Sequence, residues 1–409
     1  MDQRSSTVTS ALGGAAAIGL AWLDAHHLTL DVIALSILIA TLYKNWFWRA
    51  LCVAASYKAL GAVPGAEVLP AWGFAVLAVV IMNIPPLRFY ACFRAQPEEG
   101  CVFVTGADSG MGEATVLLLS TKPGYEVVYA GCFLESSFDV LKAKVKSAGG
   151  DEYKVVPVLL DVTSDESVTD AATTVETDLA TRKPAVGLIG VINCAGMGFS
   201  GPAEYFPIEM YKRQMDVNFF GYIRVVQAFM PLVKAATSVP GVRRGRVVFI
   251  GTGGGILSPG PPLLTAYMAS KWAIEAFCRS MRVEMQLREL PIDCCMVNPG
   301  FVKPTMLMSE GLKLNGRMWD ACAMKLGSEV AQEEYGPLLE QFIKYSAEQP
   351  GTHVSEVAKA MVVVLAAGRP ASSTKVGFDS KAAPIVGSLP VTVSEWVIKK
   401  SMFGTLGTV

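Results

Sequence analysis

The chain has 409 residues, of which 52% are hydrophobic and 17% charged, with a mean hydropathy of +0.39 and a net charge of −1. This composition is more apolar than that of an ordinary soluble enzyme and indicates membrane segments. The near-zero charge excludes a general basic surface for nucleic acid. The nine cysteines form no CxxC pair and no Cys/His cluster, so neither a metal site nor a disulfide framework is predicted.

Three apolar stretches lie in the first 95 residues, at 5–23, 28–43 and 68–87. The last carries no charge and is long enough to span about 30 Å of hydrocarbon at roughly 1.5 Å per residue. We therefore expect residues 1–95 to hold two or three transmembrane helices, with 5–23 alternatively a signal-like segment. A buried hydrophobic hairpin fits less well, because no polar residues recur at helical period.

A glycine-rich turn follows the first strand after this region. Residues 101–104 are predicted to form a buried strand that leads into Thr105-Gly-Ala-Asp-Ser-Gly-Met-Gly112, and residues 113–119 a helix. Glycines in this context let the backbone approach a pyrophosphate at the helix N-terminus. An ordinary strand-to-helix turn is the alternative, and the order of the later elements favours the dinucleotide interpretation.

Strands and helices continue to alternate along the chain. Further strands are predicted at 126–130, 154–160, 186–192, 245–250 and 292–297. Helices are predicted at 137–148, 167–180 and 210–235, and around Tyr267. This alternation predicts an α/β fold with a doubly wound parallel sheet of the Rossmann type over residues 96–409. Ligands of such sheets bind at the carboxyl ends of the strands.

Tyr267 and Lys271 stand four residues apart on a predicted helix, so they share one face. An ammonium near a phenol favours the phenolate, which would bring the tyrosine pKa down from about 10. Such a phenol suits general acid or base chemistry. A helix start with one aromatic residue and one solvated lysine is the alternative on these two residues alone.

Five motifs in this order resemble the short-chain dehydrogenase/reductases. They are the glycine turn, Asn193-Cys-Ala-Gly196, Asn218, Tyr267 with Lys271, and Pro299-Gly300. The resemblance covers residues 101 to 409. Three features resemble one branch of the family: the Asp-Ser pair in the glycine turn, the Ala-Gly-Cys after the second strand and the apolar N-terminal region. That branch contains retinol dehydrogenases, membrane hydroxysteroid dehydrogenases and 3-hydroxybutyrate dehydrogenase. The tail at 388–404 is similar to the C-terminal helix of these enzymes.

The resemblance implies specific roles. Tyr267 would be the general acid/base, Lys271 would bind the nicotinamide ribose and keep the tyrosine pKa low, and Asn218 would hold a water in a proton relay. Asn193 would pin the end of the fourth strand, and Asp161 and Val162 would contact adenine. The implied cofactor-binding residues are Thr105, Gly106, Asp108, Ser109, Gly110, Met111, Gly112, Asp161, Val162, Asn193, Ala195, Gly196, Tyr267, Lys271, Pro299, Gly300, Val302 and Thr305.

Two departures from the family pattern concern the substrate and nicotinamide ends of the site. The usual serine after the fifth strand is replaced by Gly251-Thr252-Gly-Gly-Gly255. Thr252 has the same hydroxyl capacity and is the predicted fourth catalytic residue, with Ser258 as a weaker substitute. Thr305 is expected one position out of register, because Pro304 stands where the family threonine would be.

The cofactor and substrate follow less directly. Residues 129–135, at the end of the second strand, contain no Arg or Lys that could pair with a 2′-phosphate. Asp108 would repel such a phosphate, so NAD is expected, with NADP not excluded. An apolar, Met-rich lid at 302–350 favours a lipophilic substrate such as a retinoid or steroid, although the same side chains could close the core or dock on membrane lipid. The resemblance also implies a homo-oligomer. The predicted spans indicate a multi-pass membrane protein, which we expect in the endoplasmic reticulum.

Two alternative functions stay open from the sequence. The same site would also suit an NADPH-dependent ketone reductase. The glycine run in place of the serine loop would also fit a catalytically retired, membrane-tethered dinucleotide-binding scaffold, although the retained Asn218, Tyr267 and Lys271 favour an enzyme.

Overall fold

The computed structural model describes residues 100–182, 186–242, 244–253, 260–304, 328–368 and 370–403. The three apolar stretches in which we expect two or three transmembrane helices lie outside these ranges, so the predicted division at residue 95 stays a prediction. Within these ranges, no helix has both the length and the apolar character needed to cross a bilayer.

A seven-stranded parallel sheet forms the centre of the described region. The strands are β1 Gly100–Thr105, β2 Tyr125–Cys132, β3 Val155–Leu159, β4 Leu188–Asn193, β5 Gly245–Ile250, β6 Ile292–Pro299 and β9 Ser373–Val376, with a separate short pair, β7 Val302–Lys303 and β8 Thr352–His353. The order β3-β2-β1-β4-β5-β6-β9 places β1 beside β4, where the direction of winding reverses. The predicted doubly wound α/β fold is therefore confirmed.

Helices alternate with these strands. They are α1 Gly110–Ser120, α2 Phe138–Ser147, α3 Asp165–Thr181, α4 Ile208–Met215, α5 Gly221–Ala236, α6 Thr265–Leu287, α7 Ser328–Glu348, α8 Val354–Ala366, α9 Phe378–Gly387 and α10 Val391–Phe403. The single helix predicted at 210–235 is interrupted by a π-helical segment, Asp216–Phe220, which joins α4 to α5. β9 and α9 were not predicted, and the predicted tail helix at 388–404 is α10.

The core lies on both faces of the sheet. Val102 and Val104 of β1 face the side covered by α8, where Met361 is buried, whereas Phe103 faces the opposite side. There the Phe103 ring stacks on Phe229 of α5, with centroids 4.1 Å apart. Successive strand residues point to opposite faces, so the apolar runs seen in the sequence fill both sides of a buried sheet. This rigid three-layer arrangement brings the strand ends together at one edge.

Candidate active site

The glycine turn after β1 is compressed against the loop that follows β4. Gly106 and Gly110 have φ values of 66° and 60°, in the left-handed region that favours glycine. A methyl group added to Gly106 would lie 2.7 Å from Ala195 Cα, and one on Gly112 would overlap the Gly106 carbonyl oxygen. Beside Gly110 the space is open. The turn therefore offers a bare backbone on one side, as a pyrophosphate site requires.

The N-terminus of α1 supports the same interpretation. The side chain of its N-cap residue, Ser109, makes no capping hydrogen bond. The first amide groups of a helix lack partners within the helix, so these donors and the helix dipole are available to an anion. Met111, in the first turn of α1, packs against the core and fixes the direction of the helix.

Thr105 joins the ends of the two central strands. Its Oγ1 accepts hydrogen bonds from the main-chain amides of Cys194 and Ala195, each at 2.9 Å. Asn193, which we expected to pin the end of β4, is fully buried, but neither polar atom of its side chain has a partner within the described ranges. The Thr105 hydroxyl accepts the amides that follow β4, and the anchoring role of Asn193 stays a prediction.

Asp108 faces the segment that follows β2. Its carboxylate accepts hydrogen bonds from the main-chain amides of Phe133 at 2.9 Å and Leu134 at 3.3 Å, and from Ser137 Oγ at 2.8 Å. The glycine turn and the β2 segment are thus joined by a negative charge. A side chain that follows β2 normally supplies this charge in NAD-binding sheets.

Asp161 and Val162 lie at the edge of the sheet, just after β3. Asp161 Oδ1 accepts hydrogen bonds from the amide and the hydroxyl of Thr163, at 2.9 and 2.7 Å, which forms a local turn. Val162 is buried against Gly221, where an added methyl group would lie 2.9 Å from the valine. Both predicted adenine contacts therefore belong to one ordered turn.

Tyr267 and Lys271 lie in the first two turns of α6. Lys271 is only 5% exposed, and its Nζ donates hydrogen bonds to the Ile250 carbonyl oxygen at 2.9 Å and to the Tyr222 hydroxyl at 3.4 Å. The same Nζ lies 5.9 Å from the centroid of the Tyr267 ring. A methyl group on Gly196 would be 3.7 Å from it. The loop against which the glycine turn packs thus reaches the tyrosine–lysine pair.

The pKa of Tyr267 moves in the opposite direction to the one expected. Burial raises the pKa of Tyr267 to about 12, and only the hydrogen bond with Thr252 acts to lower it. Burial also lowers the pKa of Lys271 to about 8, against a small opposing effect of the Cys194 thiol. Desolvation disfavours both charged forms, so it outweighs the attraction that we expected between the ammonium and the phenolate.

Thr252 reaches Tyr267 although the family serine is absent. The Thr252 side chain acts to lower the pKa of Tyr267, so it lies beside the phenol. The loop that carries Thr252 is held by two main-chain bonds, from the Gly251 amide to the Val297 carbonyl at 2.9 Å and from the Gly253 amide to the Pro299 carbonyl at 2.6 Å. The alternative hydroxyl, Ser258, lies outside the described residues. Thr252 is thus the described hydroxyl that the fold brings to the tyrosine.

Asn218 is fully buried in the π-helical segment, and both N–H donors of its side chain are used by protein partners. Nδ2 donates to the Met197 carbonyl at 2.8 Å and to Ser270 Oγ at 3.0 Å, while Oδ1 accepts from the Met197 amide at 2.9 Å. Ser270 Oγ in turn donates to the Tyr267 carbonyl at 2.7 Å. The side chain therefore ties the loop after β4 to the helix that bears Tyr267, with no donor left for a water.

Two residues of this network were missed by sequence reasoning. Ser270 stands between Asn218 and Tyr267. Gln214, fully buried on α4, accepts from the Phe199 amide at 3.0 Å and donates to the Met197 carbonyl. The sequence offered one signal for Gln214: it is a second amide side chain, four residues before Asn218 on the helix predicted at 210–235.

The turn after β6 completes the edge of the site. Pro299 ends β6, the Gly300 amide donates to the Val376 carbonyl at 2.9 Å, and Val302 is buried. Thr305 lies outside the described residues, so its predicted shift in register stays a prediction. The Asp379 carboxylate, at the start of α9, lies directly against Gly300.

Comparison with known proteins gives a consistent result. Residues 100–315 match the family model described as short chain dehydrogenase. The D-beta-hydroxybutyrate dehydrogenase of Rattus norvegicus is 32% identical over 238 residues, which are 58% of this chain and 63% of that protein. Dehydrogenase/reductase SDR family member 9 of Bos taurus is 29% identical over 302 residues, 73% of this chain and 87% of that protein. A 3beta-hydroxysteroid dehydrogenase of Caenorhabditis elegans is 29% identical over 246 residues, 60% of this chain and 58% of that protein.

Solved structures share the fold. A short-chain dehydrogenase from Streptomyces avermitilis has a TM-score of 0.53 at 19% identity, over 73% of this chain and 96% of that chain. A short chain dehydrogenase/reductase from Burkholderia phymatum in complex with NAD has a TM-score of 0.50 at 19% identity, over 66% and 87%. At these identities the likeness concerns the fold alone.

Proposed function

Because the chain belongs to the short chain dehydrogenase family of nicotinamide-dependent oxidoreductases, we propose that it interconverts a lipophilic alcohol and the corresponding carbonyl compound. The nicotinamide cofactor would supply the hydride chemistry. Tyr267 would give its phenolic proton to the carbonyl oxygen in the reduction, or as the phenolate would take the alcohol proton in the oxidation, while the Thr252 hydroxyl binds that oxygen. The observation that carries the proposal is the contact of Thr252, Tyr267 and Lys271 beside the loop that packs on the glycine turn.

The residues proposed to hold the cofactor run along the carboxyl edge of the sheet. The glycine turn would cradle the pyrophosphate, Asp161 and Val162 would lie at the adenine, and the turn from Pro299 to Val302 would lie at the nicotinamide. The compressed backbone at Gly106 and Gly112 and the open side at Gly110 fit a dinucleotide, because a side chain at Gly106 or Gly112 would collide with the backbone and distort the turn.

NAD is the proposed cofactor. The Asp108 carboxylate reaches the segment after β2 and accepts the Phe133 amide at 2.9 Å. At that place a negative charge would hydrogen-bond the adenosine ribose hydroxyls and repel a 2′-phosphate. An NADPH-dependent ketone reductase would lack a partner for that phosphate among the described residues of this segment, where Phe133 and Leu134 are exposed.

Asn218 would act in a proton relay through its main chain. Its side-chain donors are already used by the Met197 carbonyl and by Ser270 Oγ. A π-helical turn departs from the regular α-helical hydrogen-bond pattern, and such turns are frequent at functional sites. We therefore assign the water-holding role to a main-chain carbonyl of the Asp216–Phe220 segment instead of the Asn218 amide.

A lipophilic substrate is supported by the surroundings of the site. Phe199 and Phe206, from the segment after β4, form a buried apolar cluster with Ala266, which directly precedes Tyr267 on α6. The Met-rich part of the predicted lid lies outside the described residues. One relative is a 3beta-hydroxysteroid dehydrogenase and another is a D-beta-hydroxybutyrate dehydrogenase, so the polarity of the substrate is the feature to test. A steroid or retinoid is our proposed class.

We also propose membrane attachment through residues 1–95, as a multi-pass protein of the endoplasmic reticulum. The support is the three apolar stretches of the sequence, of which 68–87 has the length of a span. A homo-oligomer is proposed from the family resemblance alone.

The test of this function is a substrate screen on purified membranes that contain the full chain. Steroid alcohols, retinol and fatty alcohols are compared with D-3-hydroxybutyrate, each with NAD and with NADP. We expect NAD-dependent oxidation of an apolar alcohol. We also expect this activity to stay with the membrane pellet after alkaline extraction. Turnover of hydroxybutyrate alone would contradict the proposed substrate class, and turnover with NADP alone would contradict the cofactor.

Removing the Thr252 hydroxyl should lower the rate strongly. We expect Thr252→Ala to reduce kcat about 10²-fold, because the hydroxyl both bonds Tyr267 and would bind the substrate oxygen. Thr252→Ser, which keeps the hydroxyl, should retain activity. The matched control is Thr265→Ala, since that hydroxyl bonds Tyr211 instead. A wild-type rate for Thr252→Ala would move the role to Ser258 or to a water.

A further inference from the structure

We propose that Asp379 is a positioning residue that fixes residues 299–301, the nicotinamide turn, so that the nicotinamide end of the cofactor binds in register with Tyr267. Nothing in the motifs assigns a role to this carboxylate. The inference rests on the proposed function, because it takes the turn after β6 as the nicotinamide side of the site.

The Asp379 carboxylate binds the turn through a main-chain amide of the turn. Oδ2 accepts a hydrogen bond from the Phe301 amide at 2.6 Å, and Oδ1 accepts one from the Ser380 amide at 2.9 Å. A methyl group on Gly300 would overlap the carboxylate, so the charge lies directly against that Cα. Hydrogen bonds to an ionised acceptor are shorter and about twice as strong as neutral ones. Asp379 thus determines where the turn can stand.

Ser380 extends the contact to the residue before the turn and to the Thr252 loop. The side chain of Ser380 is fully buried, and its Oγ donates to the Asn298 carbonyl at 2.5 Å. A methyl group on Gly253 would lie 2.7 Å from Ser380 Cα. The start of α9 therefore touches the ends of both β5 and β6, between which a substrate oxygen and a nicotinamide would meet.

The opposite side of the same strand end is held by the helix that carries Tyr267. Asn298 Nδ2 donates to Glu275 Oε2 at 3.2 Å and to Ser373 Oγ at 3.0 Å. Glu275 is buried on α6, one turn after Lys271. The end of β6 and the nicotinamide turn are therefore held between α6 and α9. Asp379 and Ser380 supply the contacts from α9.

A role in helix capping alone does not account for these contacts. A carboxylate in the first turn stabilises a helix through the dipole, and Asp379 does so from the second position of α9. However, Oδ2 is directed to Phe301, which lies outside the helix. A capping residue would affect stability without distinguishing the two halves of the dinucleotide, whereas a positioning residue affects the nicotinamide half selectively.

The experiment compares NAD with ADP-ribose, which lacks the nicotinamide. Dissociation constants of both probes are measured by calorimetry on the full chain for wild type, Asp379→Ala, Asp379→Asn and the control Lys381→Ala, an exposed side chain two residues further along α9. We expect Asp379→Ala to weaken NAD binding about tenfold, with ADP-ribose binding changed less than about twofold, as expected for loss of one charge-assisted contact. Asp379→Asn, which keeps one acceptor oxygen, should be intermediate.

Equal weakening of both probes would overturn the inference, because it would make Asp379 a structural residue only. Unchanged NAD binding in both Asp379 variants would overturn it as well. If Asp379→Ala does not fold, the Asp379→Asn comparison decides between these outcomes. A wild-type chain that binds neither NAD nor NADP would refute the proposed function and this inference together, whereas normal binding in the variants refutes the inference alone.

Discussion

Tyr267→Phe is expected to abolish turnover while leaving NAD binding intact. The substitution removes one hydroxyl and keeps the ring, so the half-buried position stays filled. Loss of the group that exchanges the substrate proton should lower kcat about 10³-fold, within the range for general acid/base groups. The Kd for NAD should change by less than about twofold, because a Phe ring fills the same volume. Steady-state kinetics and calorimetry measure the two quantities.

Tyr222→Phe provides a matched control. Its hydroxyl is also buried beside Lys271, from which it accepts a hydrogen bond at 3.4 Å, but it makes no contact with Thr252 that would place it at the substrate oxygen. We expect kcat to change less than about threefold in this variant, since the lost bond is long. Wild-type turnover in Tyr267→Phe would instead favour a retired, dinucleotide-binding scaffold.

Lys271→Met is expected to stabilise the fold and to inactivate the protein. Burial lowers the pKa of Lys271 from 10.5 to about 8, so at pH 7 the folded protein holds a charge at an unfavourable place. Removing it should raise the free energy of unfolding by about 1–3 kcal/mol, less the cost of leaving the Ile250 carbonyl and the Tyr222 hydroxyl without their donor. Turnover should fall at least about 10²-fold, because the ribose contact and the charge beside Tyr267 are both lost.

The pH dependence of stability tests whether the buried charge of Lys271 causes the expected stabilisation in Lys271→Met. Above pH 8 the folded chain releases the Lys271 proton, whereas the unfolded chain keeps it until about pH 10.5. The unfolded state then binds more protons, so wild-type stability rises with pH across this window relative to the variant. Tyr267 acts in the opposite direction only above pH 10, because its pKa is raised to about 12. Denaturant unfolding between pH 7 and 9.5 measures the difference, and a gap that is independent of pH would contradict the assignment.

The sheet was predictable because each of its central strands is buried on both faces. Runs such as Cys101-Val-Phe-Val104 carry that burial in their composition, and polar or glycine residues mark each strand end. β9 escaped prediction because Ser373-Thr-Lys-Val376 is mostly polar. Its place in the sheet comes from pairing with β6, which no local pattern reveals.

The positions of Tyr267 and Lys271 on one helix face were predicted better than their electrostatics. Spacing on a helix is enough to place Tyr267 and Lys271 on one face. The direction of their pKa shifts depends on burial by Tyr222, the loop after β4 and the rest of the core, which are distant in sequence. The Asp379 contact with Gly300 is equally non-local, since 79 positions separate the two residues (379 minus 300). Sequence patterns therefore identify the candidate site residues but not the long-range contacts that position them.

Because of the π-helical segment, the number of residues between α4 and α5 matters for the site. A π turn holds more residues than the roughly 3.6 of an α-helical turn, so α4 and α5 are out of phase with any single helical period. The amide side chains of Gln214 and Asn218 hold the same loop across this phase change. Deleting one residue between Asp216 and Phe220 would change this phase and rotate Asn218 relative to Ser270. Insertions and deletions in this segment are therefore constrained by the contacts of Asn218.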